Sequence, residues 1–456
     1  MAVIDAAELP VVIIGAGPVG LAAAAHLVDR GLEPLVLEAG FEPSAAVRAW
    51  AHVKLFSTWG EVIDPAAEKL LTATGWTPPD RGSYPTGGDW AASYLAPLAA
   101  ALGGRVRLGT TVTGVSRLGR DRVVDADRDA QPFAVHAVSA DGSEVRLLAR
   151  AVIDASGTWS RPGPVGANGL PALGERANAS RIVYRVPDFR DPATRARYAG
   201  RRTAVIGSGA SAFTALVGLA QLGANEPGSR ALWVLRRAVG SATFGGGSAD
   251  QLPARGALGS AAKAAVEAGH ATAVTGFRTA EVQANADGTL TLVSEDGTRT
   301  EPVDEVIALT GLRPDLSFLD ELRLDLDERL QAPVGLAPLI DPNAHSCGTV
   351  YPHGAKELKH GEKDVYLVGM KSYGRAPTFL VMTGYEQVRS IAAALAGDHE
   401  AAERVELTLP ETGVCGGSGI FDEPVEEAGG GCCGPTPVTL EIAPPGLVAD
   451  GLTVGN

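Results

Sequence analysis

Residues 10–40 read PVVIIGAGPVGLAAAAHLVDRGLEPLVLEAG. An apolar run, Val11–Ile14, meets a Gly-rich turn holding Gly15, Gly17 and Gly20. A small-residue helix follows over Leu21–Asp29, then a second apolar strand, Pro34–Leu37, which ends in Glu38. GxGxxG alone says little. Between a strand and a helix, with an acid 23 residues after Gly15, it reads as a dinucleotide-binding βαβ unit. Gly15 allows the tight turn, Gly17 lets backbone approach a pyrophosphate, and Gly20 lets helix and strand pack closely. The helix N-terminus offers N–H groups and positive dipole to phosphates. Glu38 is placed to accept hydrogen bonds from an adenosine ribose, which points to FAD.

The theme returns at residues 201–237. Strand Thr203–Ile206 enters Gly207, Ser208, Gly209, Ala210, Ser211 and Ala212, a helix follows, and a second strand, Leu232–Leu235, ends in Arg236 and Arg237. An acid at that place suits a free ribose hydroxyl, whereas arginine suits a 2′-phosphate through charge-assisted forked contacts. The second unit therefore reads as an NADPH site, with a solvated strand end as the plain alternative for the two arginines.

Other stretches complete the frame. Arg105–Thr113 reads as one short strand, and FAVHAV and EVRLLAR flank an Asp141-Gly142 turn as a hairpin. Ala151–Thr158 is an apolar strand closing on Ser156 and Gly157, a turn suited to a second approach to a dinucleotide. Asp304–Pro314 carries Thr310 and Gly311 at its end. Asp364–Met370 is a last strand, and Thr378–Ala396 a helix with Pro377 near its start. The expected fold is α/β, with two Rossmann-like dinucleotide-binding domains of three-layer ββα type. The FAD domain is built from 1–160 and 310–400, the NADPH domain from 175–308, and a Cys/Gly-rich tail covers 408–456.

Composition narrows the function. The chain has 456 residues, 45% hydrophobic and 20% charged, with a net charge of −14. That balance describes a globular protein with a substantial core. The acidity argues against nucleic acid as a partner and against docking on an anionic membrane. No run of about 18 apolar residues suggests a transmembrane helix, and the N-terminus lacks a basic n-region, so a cytoplasmic location is expected. Residues 1–346 contain no cysteine. The four cysteines are Cys347, Cys415, Cys432 and Cys433. Neither nucleotide unit thus holds a thiol pair to relay electrons from a reduced flavin, which makes O2 the natural acceptor. His353 and His360 flank a Lys-rich loop and read as solvated residues or a metal pair; His52 reads as a packed histidine.

Residues 10–397 resemble the two-dinucleotide-binding flavoproteins. WAHVKLFSTW (50–59), YAGRRTAVIGSGASA (198–212), GMKSYGRAPTFLVMTGYEQVRS (369–390), LPETGVC (409–415) and the cysteine-bearing tail resemble, more narrowly, the flavin monooxygenases of bacterial arsenic-resistance operons, the ArsV type. The FxGxxxH string of Baeyer–Villiger enzymes is absent around 160–190. The resemblance implies oxidation of trivalent arsenic or antimony to the pentavalent state with NADPH, FAD and O2, through a flavin C4a-hydroperoxide. No protein nucleophile is then required; the flavin carries the chemistry. It implies FAD contacts at Gly15, Gly17, Pro18, Gly20, Glu38, Ala39, Trp59, Val112, Ser156, Gly157, Gly369, Met370 and Thr378. The implied NADPH contacts are Gly207, Ser208, Gly209, Ala210, Ser211, Arg236, Arg237, Thr310 and Gly311. Cys415, Cys432 and Cys433 are candidate thiolates for the trivalent metalloid; zinc binding or no ligand at all are the other readings. Two alternatives stay open for the whole protein: N- or S-hydroxylation of a small organic metabolite, and a metalloid-binding, redox-sensing flavoprotein.

Overall fold

Strands form where apolar runs are bounded by Gly-rich turns. The computed structural model describes residues 8–250, 252–343, 352–377 and 379–407. In it β1 (Val11–Ile14) leads into α1 (Pro18–Asp29) and returns as β2 (Pro34–Leu37). Every residue of both strands is buried, as expected of parallel strands covered on both faces. The chain then passes α2 (Pro65–Thr72), α3 (Ala96–Leu102) and a short β3 (Val106–Arg107). An antiparallel sheet follows, β4 (Thr110–Arg117), β5 (Phe133–Ser139) and β6 (Glu144–Ala149), and then β7 (Ala151–Asp154).

After β8 (Ile182–Val183) the second theme begins, with β9 (Arg202–Ile206), α4 (Ala210–Asn225) and β10 (Arg230–Val234). It continues through α5 (Pro253–Glu267), β11 (Ala271–Val274), the hairpin of β12 (Thr279–Ala284) with β13 (Leu290–Ser294), and β14 (Glu305–Ala308). Finally β15 (Val365–Leu367) and α6 (Val381–Leu395) return to the first sheet. The first sheet has the order β15-β7-β1-β2-β3 and the second β11-β10-β9-β14-β8; every pairing in both is parallel.

Alternation along the strands builds the layers. In β1, Val11 and Ile13 pack with α1, α2, α3 and α6, while Val12 and Ile14 pack with Val115, Phe133, Val135 and Ala149 of the antiparallel sheet. In β9, Val205 packs with Phe213, Leu216 and Leu219 of α4, while Ala204 and Ile206 pack with Val282, Leu290 and Leu292 of the β12–β13 hairpin. Each unit is thus an antiparallel sheet, a parallel sheet and a helical layer, the ββα arrangement expected from sequence. Each fully buried Leu, Ile or Phe contributes ~1.5–3 kcal/mol to holding the layers together.

Two local expectations change. Arg105–Thr113 is not one strand. Gly109 takes a φ of 60° and breaks it, so β3 joins the parallel sheet and β4 opens the antiparallel one. The helix expected over Thr378–Ala396 starts at Val381, behind Leu380 in extended backbone, so Pro377 lies before its first turn; Gly369–Tyr373 forms a separate 3-10 turn. Among the described residues no helix is long and apolar enough to cross a membrane. Thr378, Cys347, Cys415, Cys432 and Cys433 lie outside the described residues.

Candidate functional site

The strand next to β1 on one side, β2, is reached through α1, and the chain later crosses to the other side to form β7. Such a switch point opens a crevice at the C-terminal ends of the strands. There Gly15 takes a φ of 101°, and a Cβ on it would stand 2.9 Å from the Ala155 carbonyl oxygen and from the Ser156 Cα. A Cβ on Gly20 would lie 2.0 Å from the Gly15 carbonyl oxygen, so no side chain fits while the turn keeps its shape. Gly17 is the opposite case. A Cβ there would meet nothing within 4 Å, so the loop faces an opening that a side chain would enter. Pro18 occupies the first turn of α1, and Gly17 gives no side-chain cap, which leaves first-turn N–H groups for an anion. These features fit a bound pyrophosphate.

Glu38 is half-buried at the end of β2, beside the exposed Ala39. Its Oε2 accepts from the Ala16 N–H at 2.7 Å and its Oε1 from the Gly40 N–H at 2.8 Å. The acid therefore also pins the fingerprint loop to the strand end. Across from it, the half-buried Gly157 takes a φ of 69° in a turn with the exposed Ser156. Gly369, with a φ of 65°, donates its N–H to Gln387 Oε1 at 2.7 Å; Met370 next to it is half-buried. Trp59 is buried in the helical layer, and Val112 is half-buried at a bulge of β4 against the sheet core. Trp59 is thus a core residue here.

The second turn repeats the first with changed parts. Gly207 takes a φ of 135°, and a Cβ on it would lie 2.3 Å from the Leu309 carbonyl oxygen. A Cβ on Gly209 would meet nothing within 4 Å, again an open cradle, and α4 begins at Ala210 without a side-chain cap. Ser208 and Ser211 are exposed beside it. Arg236 is exposed and reaches the Ala167 carbonyl at 3.5 Å, while Arg237 is half-buried. Thr310 Oγ1 donates to the Gly163 carbonyl at 2.8 Å, and Gly311 takes a φ of 94° with open space at its Cβ position.

Three features escaped sequence reasoning. Lys371 and Asp154 are both fully buried, with Nζ 2.5 Å from Oδ2. A lone acid ending an apolar strand and a lone lysine in a turn were the available signals. His353 is buried, not solvated, and shares a 2.8 Å hydrogen bond with the Gln387 amide nitrogen that also donates to Ser372 Oγ. His360 is buried as well; its Nδ1 accepts from the Asp325 N–H at 3.2 Å, and burial holds its pKa below the usual imidazole range. The two histidines thus serve separate networks, and among the described residues no group of His, Cys, Asp or Glu is arranged to hold a metal ion. His52 is half-buried, and its carbonyl oxygen lies 3.4 Å from Arg190 Nη2.

A family model described as pyridine nucleotide-disulphide oxidoreductase matches residues 12–335. Among curated proteins none matches the chain. Among solved structures, the bacillithiol disulfide reductase of Bacillus cereus is similar at 22% identity and a TM-score of 0.62, over 85% of this chain and 99% of that one. A variant of the flavin monooxygenase of Stenotrophomonas maltophilia is similar at 24% identity and a TM-score of 0.53, over 85% and 98%. The FAD-bound cadaverine monooxygenase of Erwinia amylovora is similar at 14% identity and a TM-score of 0.59, over 88% and 98%. These likenesses share the fold with the present chain.

Proposed function

We propose, from the premise that the chain belongs to the pyridine nucleotide-disulphide oxidoreductase family and is an FAD-dependent oxidoreductase, that it is a monooxygenase which oxidises trivalent arsenic or antimony species. FAD is assigned to the first unit and a pyridine nucleotide, NADPH on the reading of Arg236 and Arg237, to the second. The observation that carries an oxygen-using reading is the absence of cysteine from residues 1–346, which include both fingerprints. With no thiol pair there, the electrons have O2 as their outlet. Bound FAD supplies the activation of O2. NADPH, a proton and O2 enter; one oxygen atom joins the metalloid, whose lone pair supplies the new bond's electrons, and the other leaves as water.

The chain's own residues bind the nucleotides. The open cradles at Gly17 and Gly209 receive the two pyrophosphates, and Glu38 and Arg236 sort the two riboses by charge. Arsenite is neutral near pH 7, so the net charge of −14 does not oppose it. Cys415, Cys432 and Cys433 are the proposed metalloid ligands, raising its local concentration. A second reading, N- or S-oxygenation of a small metabolite, has in its favour that a cadaverine monooxygenase shares the fold.

The test is NADPH oxidation against a panel of arsenite, antimonite, methylarsenite, small amines and sulfides. Stimulation by the metalloids supports the first reading; stimulation by amines or sulfides alone replaces it with the second. A Cys432→Ser/Cys433→Ser variant should keep hydride transfer from NADPH to the flavin but show a raised KM for arsenite if the thiols capture, or a lowered kcat if they also orient. Unchanged kcat and KM would remove the thiols from the mechanism.

A further inference from the structure

Burying a lysine ammonium without a partner is prohibitive, and burying it with one roughly breaks even against a well-packed apolar pair. Lys371 and Asp154 are each wholly buried. The ammonium lies 2.5 Å from Asp154 Oδ2, donates to Ser156 Oγ at 2.9 Å, and stands 4.4 Å from the centre of the Phe318 ring. The other carboxylate oxygen, Oδ1, accepts from Ser156 Oγ at 2.6 Å and from the Ser156 N–H at 3.0 Å. The side-chain hydrogen bonds that the pair makes outside itself thus converge on Ser156. Ser156 is the exposed residue of the turn after β7, while the pair lies out of solvent. That turn touches the fingerprint: the Ala155 N–H donates to the Ile14 carbonyl at 2.9 Å, and the Ser156 Cα is 2.9 Å from where a Cβ on Gly15 would stand.

We propose that Lys371 and Asp154 are positioning residues for FAD: their buried ion pair fixes Ser156, and through it the whole 155–157 turn, against the Gly15 turn. The pair comes from segments more than 200 residues apart, the end of β7 and the turn after β15, so it also ties together the C-terminal ends of two neighbouring strands of the first sheet. An apolar pair would fill the same volume but would leave Ser156 without the two charged groups that orient its hydroxyl. The proposal rests on the reading of the first unit as the FAD site.

The test is FAD retention by the full-length holoprotein on serial dilution, read from flavin fluorescence in the filtrate, with the visible flavin spectrum and thermal unfolding at saturating FAD. Lys371→Met should weaken FAD binding about tenfold or more, the range of a lost hydrogen bond to a charged group, and shift the flavin absorption bands. Binding of 2′,5′-ADP to the second unit should not change. An Asp154→Asn/Lys371→Met double variant should recover thermal stability without recovering FAD affinity. Should Lys371→Met fail to fold, Ser156→Ala keeps the ion pair and should weaken FAD about threefold, near the value of one modest hydrogen bond. FAD retention equal to the unmodified protein in these variants would overturn the proposal, as would a double variant that recovers stability and affinity together. If Gly17→Leu also retains FAD, the assignment of the first unit fails first, and that outcome is separate.

Discussion

The two βαβ units are built on one plan and pinned by different atoms. In the first, Glu38 at the end of β2 holds the turn by accepting the Ala16 N–H. In the second no acid stands there; the indole N–H of the buried Trp233 donates to the Gly207 carbonyl at 2.8 Å and ties the turn to β10 instead. The third small position is Gly20 in one and Ala212, also wholly buried, in the other. The layered frame tolerates these exchanges. What distinguishes the units is the charge at the end of the second strand, an anchored acid against an exposed arginine, and that difference underlies the assignment of the two nucleotides.

The largest expected effect breaks the symmetry at the third small residue. Gly20→Ala places a methyl 2.0 Å from a carbonyl oxygen. It should abolish FAD binding or folding, seen as loss of the flavin absorbance that co-purifies with the protein. Ala212→Gly should leave a folded protein with its nucleotide site working. Next come the open cradles. Gly17→Leu should lose FAD while the protein stays folded by circular dichroism, because the added Cβ meets no protein atom within 4 Å and the side chain grows into the opening assigned to the pyrophosphate. Gly209→Leu should keep FAD and lose the nicotinamide nucleotide. Retention of full FAD by Gly17→Leu would end the first assignment.

A third comparison concerns the buried carboxylate of the first unit. Glu362 accepts from Arg117 Nε at 2.7 Å and from Arg128 Nη2 at 2.8 Å. Burial alone would raise its pKa, but the Arg128 and Arg117 hydrogen bonds outweigh that and hold it below the usual glutamate value of 4.5. A depressed folded pKa stabilises at pH above the unfolded value and loses that contribution as pH falls through the folded one. Glu362→Gln should therefore cost about 3–5 kcal/mol near neutral pH, by leaving two buried guanidinium groups without their anion. The gap from the unmodified protein should shrink in acid below the folded pKa, checked by denaturant unfolding across pH. The smallest effect sharpens the charge difference itself: Arg236→Ala with Arg237→Ala should cost ~1.5–3 kcal/mol of NADPH binding and leave NADH nearly unchanged. Equal kcat/KM for both nucleotides in the unmodified protein would remove that argument.

Much of this was legible in the sequence because it is local. GxGxxG between an apolar run and a small-residue helix leaves few alternatives, and the structure puts strands at Val11–Ile14, Pro34–Leu37 and Arg202–Ile206, as the spacing requires. The hairpin around Asp141-Gly142 was equally readable. Gly109 as a strand breaker was missed because apolar alternation runs straight through it. The start of α6 was missed because Pro377 suits a first turn that the chain does not make there. Lys371 with Asp154, and His353 with Gln387, are pairings between distant segments, which local periodicity cannot register. The tail thiols rest on their placement in Gly-rich chain and on the family resemblance, and they lie outside the described residues.

On the proposed function, electrons from NADPH leave the flavin to O2 and one oxygen atom passes to a trivalent metalloid. The direct measurement is the stoichiometry of a single reaction in air: NADPH consumed, O2 consumed and pentavalent arsenic formed from arsenite. One of each is expected, with no turnover of arsenite when O2 is removed. NADPH consumption that continues without O2 on a disulfide substrate, or O2 consumption that ends in hydrogen peroxide with arsenite unchanged, would contradict it.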